Sequence, residues 1–130
     1  MPSPRNALFI YRLTWITFGS FVFACVHRVQ YGMIVTGLVF LCSRNYWRRP
    51  EYGLRRNIDI INTLSCLAYQ TWRSFGNPLQ RSFLVPTWLG VGCYLIQPWL
   101  DEPTATLAHA FVHRLGNIGN IALYYGQHFS

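Results

Sequence analysis

Five arginines crowd into residues 44–59, RNYWRRPEYGLRRNID, and uncharged, largely apolar sequence lies on both sides of them. A guanidinium is too costly to leave in hydrocarbon, so a chain built this way must hold the stretch at a membrane surface. Tyr46, Trp47 and Tyr52 are interleaved with the arginines, and amphipathic rings of this kind settle among headgroups. Pro50 and Gly53 break any helix there. The stretch therefore reads as a membrane-face hinge between two spanning helices. Arg44, Arg48, Arg49, Arg55 and Arg56, with Trp47, are its candidate contacts to anionic phospholipid such as cardiolipin.

The length of 130 residues fits one integral-membrane domain, 1–130. Apolar residues make up 52% of the chain and come in charge-free blocks rather than amphipathic repeats. The net charge of +7 could point to nucleic acid. The positives gather at block ends, however, which favours anionic lipid and argues against nucleic acid. Cys25, Cys42, Cys66 and Cys93 stand singly with no CxxC spacing and read as small buried hydrophobes. Residues 1–6 are too short for a transit peptide, and the first block could serve as an uncleaved targeting signal.

Five spans are expected, at 7–26, 29–43, 57–73, 82–100 and 104–125, giving an all-α polytopic bundle. A four-span arrangement, with the first two blocks re-entrant, is the rival. Arg12 lies near the start of its span and can snorkel, and residues 27–30 form the first turn. The third helix carries Asp59, Asn62, Cys66, Tyr69 and Arg73 on one side, a stripe expected to face protein. Asp59 is expected to pair with Arg55 or Arg56 at the helix start. Gly76, Asn77 and Pro78 mark a turn, and Asp101, Glu102, Pro103 and Thr104 make a good helix N-terminus. The end bearing the N-terminus and 44–59 is richer in arginine, so it should face cytosol, matrix or stroma.

On the fifth helix His109, His113, Asn117, Asn120 and Tyr124 step by four, four, three and four, one face of a helix. Polar groups in hydrocarbon need partners, so this face looks inward. It reads either as an interhelical hydrogen-bond seam or as a ligand site, since histidines four apart can hold zinc or a porphyrin-type centre. Arg114 lies on the adjoining face in mid-span and needs an anion or carbonyl, with Asp59, a lipid phosphate or a partner subunit as candidates.

Ser43, Asp59, His109 and His113 are expected at one depth on the arginine-rich side. Ser43-Arg44-Asn45-Tyr46-Trp47, Asp59 and His109-Ala110-Phe111-Val112-His113 together resemble the superfamily of alkaline ceramidases, progestin and adiponectin receptors and myomaker. Those proteins carry Ser-x-x-x-His, an Asp and His-x-x-x-His on seven spans. The resemblance implies a zinc site and lipid amide hydrolysis. Here Trp47 stands where the first histidine belongs, and the chain has room for about five spans.

No GxSxG, P-loop or Rossmann glycine set occurs, and no residue is assigned a catalytic role. The expected function is a non-catalytic accessory subunit of a larger membrane complex. Its partners would be other membrane subunits of an energy-converting assembly, such as a respiratory complex or ATP synthase, in the mitochondrial inner membrane. Thylakoid and endoplasmic reticulum stay open as locations. The alternatives are a metal-dependent membrane lipid hydrolase or its inactive relative, and a pigment-binding subunit ligating through His109, His113 or Asn117.

Overall fold

Ser3 starts the first helix by accepting a bond from the Asn6 amide at 3.3 Å, with Pro4 in the first turn where its missing N–H is no loss. A computed structural model describes residues 3–127. They form α1 (Pro4–Leu13), α2 (Trp15–Val26), α3 (Gln30–Trp47), α4 (Leu54–Arg73), α5 (Gln80–Ile96), a 3-10 turn (Gln97–Trp99) and α6 (Glu102–Gly126). No strand occurs among the described residues, so the chain is all-α.

The helices run up and down. α6 packs along α5 and also meets α2 and α1, while α3 lies between α2 and α4. One end of the bundle gathers the starts of α1, α4 and α6 with the ends of α3 and α5. There the Ser3 amide donates to the Glu102 carboxylate. That bond, helped by the Asn6 side chain, holds Glu102 below the usual carboxylate range. The opposite end is closed by Asn77, whose amide donates to the Leu123 carbonyl at 3.0 Å and whose oxygen accepts from the Leu79 N–H at 2.8 Å.

Two glycines mark close approaches between helices. A β-carbon on Gly32 would lie 2.8 Å from the Tyr124 ring, and one on Gly119 would lie 3.1 Å from the Phe83 carbonyl and overlap Thr87. Helices meet this tightly in membrane bundles through small residues.

The expected boundaries need correction at several points. The first span is divided at Thr14, whose hydroxyl folds back on the Tyr11 carbonyl at 2.6 Å. α3 runs on through Trp47 and α4 begins at Leu54, so only 48–53 is left as the hinge. Backbone hydrogen bonding continues past the last apolar residue until Pro50 ends it. Gly53, with φ of 141°, then makes a turn open in practice only to glycine. The turn at 27–29 is where expected, with Arg28 left-handed at φ of 56°. Of the four cysteines, all free, only Cys66 is buried, and Cys25 lies on the outside.

The interior mixes apolar residues such as Ile10, Val29 and Val35 with many hydroxyls. The largest fully buried side chains are Tyr124, Phe83, Leu123, Thr14, Thr36, Ser20 and Ser74, and five of these seven carry a hydroxyl. Ile34, Leu41, Ile61, Leu64, Leu95 and Trp99 are among the large hydrophobics on the outside. The buried hydroxyls are satisfied largely within their own helices: Thr36 donates to Gly32 O at 2.6 Å and Ser74 to Thr71 O at 2.6 Å. Taken as one, Pro4–Val26 is the single helix among the described residues long and apolar enough to cross a membrane.

Candidate functional site

The inward face of α6 carries two clusters, one in each half. In the first half, His109 is 7% exposed. Its Nδ1 lies 3.2 Å from Gln97 Nε2, in the 3-10 turn that Pro98 places after α5. With the amide as donor, Nδ1 accepts and the ring proton sits on Nε2. The Trp47 ring packs against His109 at 5.0 Å between centroids, the His113 ring at 5.1 Å and the Tyr94 ring at 6.5 Å. His113 Nε2 is enclosed and has no hydrogen-bond partner.

The second half is a continuous hydrogen-bond chain across three helices. Ser20 of α2 donates to Asn117 Oδ1, and Asn120 Nδ2 makes a long contact of 3.5 Å to the Ser20 hydroxyl. Gln70 of α4 donates to Asn120 Oδ1 at 2.8 Å, and the Tyr124 hydroxyl donates to Gln70 Oε1. Asn120 and Gln70 each use both ends of the amide, and Asn117 accepts through its oxygen. Tyr31 packs edge-on against Tyr124 at 5.9 Å between centroids, and the Arg73 guanidinium lies 4.3 Å from the Tyr31 ring centre.

Ser43 and Asp59 do meet: the hydroxyl donates to the carboxylate at 3.0 Å. This replaces the expected pairing of Asp59 with Arg55 or Arg56. Arg55 turns instead to Glu51 at 3.0 Å and to the carbonyls of Asn45 and Arg49, closing the hinge, and Arg56 lies over Tyr52 at 5.2 Å. Arg44 is drawn inward. Its guanidinium sits 4.1 Å from the Tyr11 ring and 4.7 Å from the Trp15 ring, and donates to the Tyr11 hydroxyl and to Thr14 Oγ1 at 3.2 Å. Arg48 and Arg49 remain exposed at the hinge. Trp47, expected among headgroups, is half-buried against His109.

Among the described residues no three His, Cys, Asp or Glu side chains converge. Asp59 accepts from Ser43, His109 Nδ1 faces the Gln97 amide, and an indole offers no lone pair where Trp47 stands. Ser43 and Asp59 thus lie together, and Trp47, His109 and His113 lie together.

Sequence reasoning found the α6 face but missed Ser20, Gln70, Gln97 and Tyr94, which complete it. A lone Ser or Gln within an apolar block has no periodicity to reveal it. The expected α4 stripe holds for Asp59, Asn62 and Cys66 and gains the buried Gln70, whereas Tyr69 is 41% exposed. No family model matches the chain, and no curated protein or solved structure matches it either.

Proposed function

We propose that the chain is an integral-membrane, non-catalytic subunit of a larger membrane assembly, a small bundle that fills and braces the space between its neighbours. The burial pattern carries this reading: many hydroxyls and amides share the interior with apolar residues, while many large apolar side chains lie outside. A surface of that kind suits lipid or other membrane helices. α1 and α2 cross as one segment, and α3, α4, α5 and α6 cross once each, for five spans. The later helices are less apolar because each contributes polar groups to the interior. Several of those groups satisfy one another, as Ser20, Asn117, Asn120, Gln70 and Tyr124 do along their chain.

The end carrying Arg48, Arg49 and Arg56 faces the more negative compartment and rests on anionic lipid, each exposed arginine adding about 1 kcal/mol of attraction. The mitochondrial inner membrane, with its cardiolipin, is the location we favour. The test is alkaline carbonate extraction followed by native electrophoresis in mild detergent. The chain should stay with the membrane pellet and migrate in a large complex. Release into the carbonate supernatant would overturn the membrane reading, and migration as an isolated monomer would overturn the subunit reading.

A second reading has one specific observation behind it. Ser43 bonds Asp59, while Trp47 packs on His109 beside His113. That arrangement suits a relative of the ceramidase-like superfamily whose metal centre has been filled by an indole. Elemental analysis of the purified protein tests for an active metal centre: about one zinc per chain, as a single tetrahedral site would hold, would overturn the indole-filled arrangement and promote the hydrolase.

A further inference from the structure

Arg114 is the thirteenth of the 25 residues of α6, about 18 Å from either end at 1.5 Å per residue. It is exposed, and no hydrogen bond, ion pair or ring contact reaches it among the described residues. Its neighbours on the outer face are Leu107, Phe111, Ile118 and Tyr125, exposed by 56, 45, 55 and 47%. With 100° per residue these five positions fall within a narrow arc. The result is an apolar stripe with one cation at its centre.

The chain's own carboxylates cannot serve this cation. Glu51 is with Arg55, Asp59 with Ser43 and Glu102 with Ser3, and Asp101 precedes α6. All four acidic residues lie toward the arginine-rich end of the bundle, so a second copy would bring none to mid-depth either. An arginine at the centre of a span is stable only beside an anion or inside protein, and lipid headgroups lie at the span's two ends.

We propose that the Leu107, Phe111, Arg114, Ile118 and Tyr125 stripe is an intramembrane docking face for a helix of a different subunit that carries an Asp or Glu at mid-depth. This rests on the membrane-subunit reading above. It adds where the partner sits and what chemistry recognises it. Leu107, Phe111 and Ile118 supply the packing, and the carboxylate pairs with the Arg114 guanidinium through two parallel hydrogen bonds.

The experiment uses the full chain in its native membrane, solubilised in mild detergent, with a photo-crosslinking residue at Ile118. Parent protein should crosslink to a membrane helix bearing an acidic residue. Arg114→Gln should lose that crosslink and release the chain from its complex by about tenfold or more, while Arg114→Lys keeps most of both. Unaltered helical content and melting of Arg114→Gln establish that it still folds; if it does not fold, neutralising the partner's acidic residue must release the chain to the same extent. Crosslinks to lipid alone, or a partner segment without an acidic residue, would overturn the docking proposal. So would retention of Arg114→Gln in the complex. If the parent itself migrates alone, the subunit reading fails first.

Discussion

The two halves of the inward face of α6 are built from similar residue types and solve the same problem differently. From Asn117 to Tyr124 the side chains bond to one another and to partners on α2 and α4, with Asn120 and Gln70 using both ends of their amides. From His109 to His113 the imidazoles are walled by aromatic rings, with one bond to Gln97 and a nitrogen left without a partner. A polar stripe in a membrane helix is therefore not one kind of object. Where amides face amides it can close into a network, and where imidazoles face indole and phenol it is held by packing. The Asn117–Tyr124 half should depend on hydrogen bonds, and the His109–His113 half should tolerate their loss.

The largest effect is expected from Tyr124→Ala. It removes a fully buried ring packed on Gly32 together with the terminal donor of the network. Aromatic-to-alanine changes in cores cost about 3–5 kcal/mol, so the melting temperature in detergent should fall steeply. A fall no larger than that from a surface change would mean the two halves are equally soft. Gln70→Leu comes next. It leaves Asn120 Oδ1 and the Tyr124 hydroxyl open, and a buried unsatisfied group costs about 1–3 kcal/mol. Adding Asn120→Leu should not add a full second increment, because the two share a bond; strict additivity in this double-mutant cycle would sever the proposed chain.

In the other half, His109→Gln should cost only about 0.6–2 kcal/mol, the range for one interhelical bond in a membrane. Thermal melting of the substituted protein beside Gln70→Leu gives the ordering directly. His113→Leu is the smallest effect and has the opposite sign expected for glue. The ring loses an enclosed, unpartnered nitrogen, so stability should be unchanged or rise by up to about 1 kcal/mol. A loss of 2 kcal/mol or more, on the scale of a broken buried bond, would show that His113 holds something essential.

The α6 face was legible because its polar residues recur at helical spacing, and the up-and-down order followed from the turns at 27–30 and 76–78. What the sequence hid are the replies from other helices. Ser20 is one hydroxyl in an apolar block, and Gln97 is set by a Pro-containing 3-10 turn. Arg44 and Trp47 were read as headgroup contacts because they follow an apolar block. α3 instead continues through both, and that carries Arg44 to Tyr11 and Trp15 and Trp47 to His109. A tally of charge at a block end cannot distinguish an arginine facing lipid from one wrapped by rings.

The Ser20–Asn117–Asn120–Gln70–Tyr124 chain also has a consequence in time. Translation delivers Ser20 and Gln70 well before the residues of α6 that answer them. If the chain is the membrane bundle proposed above, both enter the bilayer with bonding capacity unspent until α6 threads into place, and a bare amide in hydrocarbon costs several kcal/mol. A nascent chain stalled or misthreaded before α6 thus displays Gln70 as an open polar mark within the membrane. Correct arrival of α6 erases it. In that membrane setting the closed network is what distinguishes a finished bundle from an unfinished one.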